Sequence, residues 1–507
     1  MAVFYNAGEE KIRPGVYQRY VNFGQTVQSD AQDGICAIPI QANWGPLGQV
    51  VKTTNTRQLE ETYGSGTYGS GYTVPAAAAM FEGGAATVYT YRLGTGGTKA
   101  SKTLTYTYTP PEEDAPDPAP VQGEVTITAK YPGTLPISIA VQNKIGYSTI
   151  KQFLVYAGTT QVESFDFESN ASSSSTDITV TTNEATNLIA ATAGSQYITV
   201  AVTGSSDTPP APSVIPITEV ANGALVNGAN PTVTNADYST AFQAFEPYYY
   251  NCIAIDVNDD TNLTLSNLLT EYLDNAYQYG KLGIAVVGEP TTIDFSTRME
   301  HAQSFNDPKV VYLGGGWMAG ADSTDGALSI CYTAGVIAST PSNSGITHTV
   351  ITTATNLCES LTYSQYEDAI LAGMLVVSMS PDGSIWFDSG INTLTNLDTD
   401  GLDAGWKKIR RVKVRFELID RLDRALSPKV GKVSADTDGI SDIIQSGQRV
   451  LDLMANNEGK LQQGASFIED ADNPFTTDSA WFIIQADDID SLEKIYLQYQ
   501  FRYSTNS

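Results

Sequence analysis

The stretch at residues 495–503 (IYLQYQFRY) is the sequence feature that most constrains the fold. Its side chains alternate between an apolar or aromatic set and a mostly polar set, which predicts a β-strand with one buried face. No element follows it with which it could form a hairpin. Its partner strand therefore lies either elsewhere in the same chain, as in an ordinary sheet, or in another subunit, in which case the strand is a tether. The alternating apolar set is Ile495, Leu497, Tyr499, Phe501 and Tyr503.

A second strand-like segment lies near the N-terminus. Arg13, Pro14, Gly15, Val16 and Tyr17 predict a turn, because proline fixes φ and glycine permits unusual backbone angles. The sequence VYQRYVNF that begins within this turn has a β-like composition. We therefore expect residues 1–30 to form an extended arm whose short strand is available to another sheet.

Length and charge exclude several classes of protein. A chain of 507 residues is too long for one core, so three or four domains are expected. A net charge of -28 argues against a protein that wraps nucleic acid, since phosphate binding needs a basic surface. The start MAVFYNAGEEK lacks the pattern of a signal peptide, and no stretch is long and apolar enough to span a bilayer. We expect synthesis in the cytoplasm and no membrane insertion.

The order of strand and helix patterns predicts a multidomain α/β and α+β protein. Continuous apolar runs such as residues 34–40 (GICAIPI) and 310–313 (VVYL), alternating with helical segments, indicate a doubly wound parallel sheet covered on both faces. From residue 94 to residue 221 the composition changes to Thr, Ser, Pro and short alternating runs, which predicts an inserted all-β sandwich or barrel. The predicted domains are an arm at 1–30, an α/β domain at 31–93 and 222–395, the insertion at 94–221, a C-terminal α+β assembly domain at 396–490 and a strand arm at 491–507.

The last third contains one ambiguous segment. Apolar residues from 409 to 426 recur at helical spacing, but Val412, Val414, Phe416 and Leu418 also fit a strand. We favour a helix from Phe416 onward. A second helix is predicted at 440–454, and a strand at 480–485 (AWFIIQ) precedes the terminal strand.

Motifs for catalysis or metal binding are incomplete. Residues 314–319 (GGGWMA) have the spacing of a dinucleotide fingerprint but lack the acidic residue further on, so a glycine-rich strand-to-helix turn is favoured. His301 and His348 are the two histidines, and no G-x-S-x-G elbow accompanies them. Residues 256–260 (DVNDD) resemble the start of a calcium loop without its glycine or its bidentate glutamate. We predict no catalytic residues, no cofactor and no metal site.

The four cysteines do not indicate a metal site either. Cys36, Cys252, Cys331 and Cys358 lie far apart and form no Cys-x-x-Cys pair. Neither a zinc site nor a disulfide framework is indicated, and buried free thiols are favoured.

A basic run is the sharpest local anomaly in so acidic a chain. Two interpretations stay open: a solvated helix face paired with Glu417, Asp420 and Asp423, or a docking stripe for an acidic protein surface. The run comprises Lys407, Lys408, Arg410, Arg411, Lys413 and Arg415.

Several segments together resemble the contractile-tail sheath proteins of myoviruses, and most closely the branch of PBSX-like prophages and R-type tailocins. Their order along the chain carries the resemblance. After residue 134 the sequence LPIS stands where many relatives have a Gly-Asn pair, so details of the insertion are not transferred. The similar segments are RPGVY (13–17), WGPLGQVVKTTNTRQLEETYG (44–64), AKYPGT (129–134), NGALVNGANPTVTNADYSTAFQAFE (222–246), KIRRVKVRFELIDRLDRAL (408–426) and DIDSLEKIYLQYQFRY (488–503).

The resemblance implies a structural subunit that stacks as hexameric rings around an inner tail tube and shortens when the baseplate fires. It implies that both terminal arms add strands to a C-terminal sheet of neighbouring subunits. The implied partners are further copies of the chain, the inner tail tube protein, and baseplate and tail terminator proteins. The particle would be a virion tail or a tailocin, and the basic run would face the tube.

Two alternatives from other classes stay open. One is an α/β hydrolase or nucleotide-binding enzyme that carries a β module. The other is a surface-layer or adhesion protein, which the Ser/Thr-rich insertion and the acidity favour and the absent signal peptide disfavours.

Overall fold

The chain forms two compact units, residues 33–413 with 490–507 and residues 1–32 with 414–489. The computed structural model describes residues 3–4, 17–18, 33–69, 71–108, 121–147, 149–169, 184–203, 217, 219–258, 263–397, 402–473, 475–476 and 478–501. Near the N-terminus, β1 (Val3–Phe4) pairs in parallel with β2 (Tyr17–Gln18). Residues 109–120, and residues 259–260 of the calcium-like stretch, lie outside the described residues.

The segment before the insertion supplies one side of the main sheet. Its first strand is buried along its whole length, as its continuous apolar run predicts, and pairs in parallel with the third. The second strand lies antiparallel at the sheet edge. Pro75 occupies the first turn of the second helix, where no backbone donor is lost. The elements are β3 (Ile35–Ile40), β4 (Val50–Thr53), α1 (Thr56–Tyr63), α2 (Val74–Glu82) and β5 (Thr87–Arg92).

The insertion consists of two antiparallel sheets that share one apolar core. One sheet has the order β10-β9-β8-β12 and the other β11-β7-β6. Inward side chains of both sheets, such as Ile127, Ile139 and Phe153, belong to the same buried cluster. The elements are β6 (Ser101–Tyr108), β7 (Val121–Ala129), β8 (Ile137–Asn143), β9 (Ile150–Ala157), β10 (Thr160–Glu168), α3 (Glu184–Thr192), β11 (Ile198–Thr203) and β12 (Val220–Ala224).

The expectation that the insertion is all-β is wrong at α3. This helix buries Ala185 and Leu188 against the cores of the two sheets. Its sequence, EATNLIAAT, carries too few large apolar residues to show helical periodicity. Tertiary packing, which sequence patterns do not report, stabilises it.

The segment after the insertion completes the main sheet. The order is β19-β15-β14-β13-β3-β5-β4, so β13 lies directly beside β3 and strands from both sides of the insertion share one sheet. All pairs except β4 with β5 are parallel. The elements are α4 (Asn235–Phe245), β13 (Cys252–Ala254), α5 (Thr264–Gln278), β14 (Ile284–Gly288), α6 (Phe295–Phe305), β15 (Val310–Leu313), β16 (Trp317–Ala319), β17 (Asp322–Thr324), α7 (Ala327–Ser339), β18 (Asn356–Leu357), α8 (Tyr363–Leu371), β19 (Met374–Leu375), β20 (Val377–Met379) and β21 (Ile385–Phe387).

Two glycines allow α2 and α7 to pack backbone against backbone. A Cβ atom on Gly335 would lie 2.1 Å from the carbonyl oxygen of Met80, and one on Gly83 would lie 2.1 Å from that of Tyr332. Both distances are far below van der Waals contact, so side chains are excluded at these positions. The contact joins a helix that precedes the insertion to one that follows it.

The smaller unit contains two helices and a two-stranded hairpin. The elements are α9 (Ile409–Leu426), α10 (Thr437–Asp452), β22 (Ser466–Glu469) and β23 (Phe482–Gln485), with α9 beginning in the larger unit. Phe467 packs over Gly447 of α10, where a Cβ atom would lie 2.4 Å from the ring. The helix expected from Phe416 in fact begins at Ile409, because Ile409, Val412 and Phe416 bury one helical face.

Over the described residues 495–501, the strand expected at 495–503 is not formed. Residues 495–501 have no regular secondary structure, and Arg502 and Tyr503 lie outside the described residues. The alternating pattern is present in the sequence, but among the described strands none pairs with it. Residues 495–501 therefore do not form a strand in a sheet of their own chain.

Candidate functional site

The C-terminal arm, which we define as residues 495–501, presents its apolar side chains to solvent. Leu497 is 70% exposed, Tyr499 72% and Phe501 93%, and Ile495 is similarly exposed. The rings of Tyr499 and Phe501 stack on each other with centroids 6.3 Å apart. A contiguous exposed apolar segment of this kind is typical of an interaction site.

The N-terminal candidates are only partly described. Tyr17 lies in β2 and pairs with Val3. Arg13, Pro14, Gly15 and Val16 lie outside the described residues. Their assignment as a strand donor stays a prediction.

Two residues of the basic run contact the segment that leads into the C-terminal arm. Lys408 forms an ion pair with Glu493, whose other carboxylate oxygen accepts a hydrogen bond from Thr347 Oγ1 at 3.1 Å. The Arg410 guanidinium donates to Ser491 Oγ at 2.9 Å. Both cations are thus used within their own unit.

The rest of the basic run is also directed toward the chain itself. Lys407 donates to the carbonyl of Thr395 at 2.8 Å, and Lys413 is buried and donates to the Ile337 carbonyl at 2.6 Å. Arg411 lies against Gly405, where a Cβ atom would come within 2.3 Å of the guanidinium carbon.

Arg415, the last residue of the run, pairs with Asp488 at 3.0 Å. All six basic residues are half-buried or buried. In these contacts the partners are Glu493, Asp488, Ser491 and backbone carbonyls, not Glu417, Asp420 or Asp423. The paired solvated face and tube docking both stay predictions.

Further along α9, a buried ion network ties the helix to the loop before β22. Arg421 contacts Glu417 at 2.5 Å and Glu458 at 2.8 Å, and Lys460 contacts both carboxylates at 2.7 Å. Burial alone would raise the pKa of Glu458, but Arg421 and Lys460 hold that pKa below its ordinary value. The network fixes α9 within the smaller unit.

The β22–β23 hairpin offers strand edges in the smaller unit. Each of its strands has the other as its single described neighbour. Its paired residues Ile468 and Ile483 are exposed, as are Ile484 and Trp481. A two-stranded sheet with apolar exposed side chains is marginal by itself.

The glycine motif at 314–319 does not form a dinucleotide site. It leads from β15 into β16, not into a helix, and α7 begins only at Ala327. A Cβ atom on Gly314 would lie 2.2 Å from the Met374 sulfur, and Trp317 is buried. The expected strand-to-helix turn is thus a strand-to-strand turn, and its glycines serve close packing.

The two histidines have structural neighbours. His301 on α6 contacts Glu289 through Nδ1 at 2.7 Å, and Glu289 also accepts a hydrogen bond from Tyr312. The His348 ring stacks on Trp386 with centroids 4.0 Å apart. Ser304 Oγ donates to the backbone carbonyl of His301 at 2.7 Å, whereas the described contact of the His301 ring is with Glu289.

Asp256 is a buried carboxylate, not an exposed calcium ligand. It accepts hydrogen bonds from Tyr238 at 2.7 Å and from Thr73. Burial raises its pKa to about 6, against the opposing effect of these two donors. The described residues contain no group of three side chains placed to hold a metal ion. Within the same residues, no helix has the length and apolar character needed to cross a bilayer.

Sequence reasoning missed the contacts of residues 491–493, which precede the C-terminal arm. Ser491, Glu493 and Thr347 carried no motif, and their contacts join positions 81 to 146 residues apart. The available signal was the proximity of an acidic turn, DDID, to the C-terminal arm in a chain with one concentrated basic run.

Comparison with protein families identifies two segments of the chain. Residues 34–93 match the N-terminal region of domain III of the tail sheath protein Gp18, and residues 231–393 match the phage tail sheath protein central domain. The two matches lie on either side of the insertion and supply the strands of the seven-stranded sheet. No curated protein matches the chain.

Solved structures share the fold over most of the chain. A sheath tail protein from Listeria innocua is 18% identical, with a TM-score of 0.65 over 90% of this chain and 96% of that one. A sheath tail protein from Desulfitobacterium hafniense is 18% identical, with a TM-score of 0.64 over 94% and 100%. The contracted helical sheath of the anti-feeding prophage is 10% identical, with a TM-score of 0.52 over 97% and 99%. The two domain matches and this shared fold confirm the resemblance to the contractile-tail sheath proteins.

Proposed function

We propose that this chain is the structural subunit of a contractile tail sheath, which stacks as hexameric rings around an inner tube and contracts to drive the tube through a target cell envelope. One observation supports the proposal above the others: the chain has a sheath fold and an exposed C-terminal arm without a strand partner among the described residues. The subunit is a structural component and does no catalysis.

The C-terminal arm is the donor of a strand to a neighbouring subunit. Its alternating side chains suit a half-buried strand, and in the single chain they lie in water. Pairing of about nine residues would add several backbone hydrogen bonds, each worth about 1 kcal/mol net, together with burial of the apolar face. These gains are available only in the assembly.

The β22–β23 hairpin is the acceptor that fits this donor. It is short and exposes Ile468 and Ile483, and β23 has no described strand neighbour other than β22, whereas Gln448 of α10 bonds the outer backbone of β22 at Phe467. Addition of a strand from another copy along β23 would cover that edge and these side chains. The N-terminal arm, with Arg13 to Val16 and Tyr17, would supply a second donor strand.

Strand exchange suits a contractile polymer for a physical reason. Flexible tethers keep subunits connected while the globular bodies rotate, so only the contacts between those bodies need two stable arrangements. Two arms per subunit make the lattice multivalent. The free energy stored during assembly would drive contraction, without a nucleotide.

The other proposed partners follow from the sheath role. They are the inner tail tube protein, which the basic run would face, and baseplate and tail terminator proteins at the ends of the stack. The particle is the tail of a virion or a tailocin, made in the host cytoplasm.

Electron microscopy of the purified chain tests the proposal. The full-length protein should form hollow, striated cylinders, and removal of residues 495–507 should leave folded monomers with an unchanged melting temperature. Removal of residues 504–507 (STNS) alone is the matched control and should leave assembly intact. Cylinders from the longer truncation, or monomers of the full-length protein under all assembly conditions, would contradict the proposal.

A further inference from the structure

We propose that Lys408 and Arg410 form a clamp that holds residues 491–493 and thereby positions the C-terminal arm for donation. The inference rests on the proposed strand donation and identifies positioning residues for it. It assigns to two members of the basic run a partner within the chain.

The clamp holds the segment at two successive points. Glu493 is bound through both carboxylate oxygens, one by Lys408 and the other by Thr347. Ser491 accepts from Arg410 at 2.9 Å. Leu492 between them is 82% exposed, so the clamp grips alternate residues and leaves the intervening side chain in water.

Two glycines lie directly against the side chains of Ser491 and Thr347. A Cβ atom on Gly345 would lie 3.0 Å from Ser491 Oγ, and one on Gly390 would lie 3.1 Å from Thr347 Oγ1. Lys408 is itself held by backbone pairing with Ile391. The acceptor surface is therefore a fixed part of the larger unit, not a pair of flexible side chains.

The ion pair is stronger than an ordinary surface pair. The side chains of Lys408 and Glu493 are 25% and 20% exposed, and the carboxylate has a second donor in Thr347. Partial burial and a second hydrogen bond reduce solvent screening and hold one geometry. The arm begins two residues later, so its direction of exit is set at Glu493.

A fixed exit point favours strand donation because it reduces the conformational search. A donor strand that leaves one defined point has a higher effective concentration near its acceptor than a strand on a loose tether. The clamp thus acts through the arm and does not contact the neighbour.

Pulsed electron paramagnetic resonance tests the clamp in the full-length monomer. Nitroxide labels at Leu492→Cys and Tyr279→Cys, both highly exposed and both in the larger unit, report the width of the distance distribution in a Cys358→Ser background. Lys408→Gln should broaden the distribution at least twofold. Lys494→Gln is the matched control: Lys494 follows Glu493 in sequence and is exposed, so its replacement should not broaden the distribution. The swap of Lys408→Glu with Glu493→Lys should restore the narrow distribution.

Sedimentation of polymers supplies the second measurement. Lys408→Gln should raise the critical concentration for assembly about tenfold, because donation must then also order the released segment. The swap should reverse this rise. An unchanged distance distribution would overturn the clamp, and a broadened distribution with unchanged assembly would overturn its positioning role. Failure of the wild-type chain to polymerise would instead refute the proposed function, while the resonance measurement would still decide whether the clamp exists.

Discussion

Substitution of Leu497 by alanine separates a donor arm from an ordinary surface segment. Leu497 is 70% exposed in the single chain, so its truncation should leave the monomer's melting temperature unchanged. If a neighbouring subunit covers it, the loss of three carbons at about 0.8 kcal/mol each, scaled by the exposed fraction, weakens each contact by about 1.5 to 2 kcal/mol. That corresponds to a rise of roughly 10- to 30-fold in the critical concentration for assembly.

The assay is sedimentation of polymers over a range of protein concentrations, with thermal unfolding of the monomer measured in parallel. Gln498→Ala is the matched control, because it lies on the opposite face of the predicted strand and is also exposed. Equal effects of Leu497→Ala and Gln498→Ala would refute one-sided burial. A substantial loss of monomer stability would refute the assignment of the arm to a contact between subunits.

Three further predictions concern the stability of the subunit. Gly335→Ala should lower the free energy of unfolding in urea by about 1 to 3 kcal/mol, because a Cβ atom there would lie 2.1 Å from the Met80 carbonyl oxygen. Gly69→Ala is the control. It has open space around it and should change the free energy of unfolding by less than about 0.5 kcal/mol. Lys460→Met should cost about 3 kcal/mol or more because it removes a cation from a buried network, while Lys429→Met, which breaks a half-exposed pair with Asp442, should cost less than about 1 kcal/mol. Asp256 has a folded-state pKa of about 6, which is above its unfolded value, so the folded form binds the proton more tightly. The free energy of unfolding should therefore increase by up to about 3 kcal/mol from this group as the pH falls from 7 to 4. Asp256→Asn should lack that gain; identical pH profiles of the variant and the wild type would contradict the assignment.

The main sheet could be predicted from sequence because its signals are local. Continuous apolar runs such as ICAIPI in β3 and VVYL in β15 are buried on both faces, and a parallel sheet between helix layers produces that pattern. The start of α9 could not be assigned, because its alternating basic and apolar residues fit two periodicities. Burial of Ile409 and Val412 on one helical face decides for the helix.

The candidate site was only half predictable. The alternation of residues 495–501 predicts a strand that needs a partner, and these residues are exposed and lack regular secondary structure in the single chain. Local sequence does not identify that partner. The contacts of Lys408 with Glu493 and of Arg410 with Ser491 depend on the tertiary fold, which brings together positions 85 and 81 residues apart. The basic run suggested an external surface, whereas the described contacts of its side chains lie within the chain. Docking of the run on the tube stays a prediction.

The most direct test of strand donation is a cryo-electron microscopy map of the assembled polymer in which individual strands are resolved. The account predicts that residues 495–503 of one subunit lie as a strand against the β22–β23 hairpin of a different subunit, with Leu497, Tyr499 and Phe501 buried. A polymer in which these residues pair within their own subunit, or stay exposed to solvent, would contradict it.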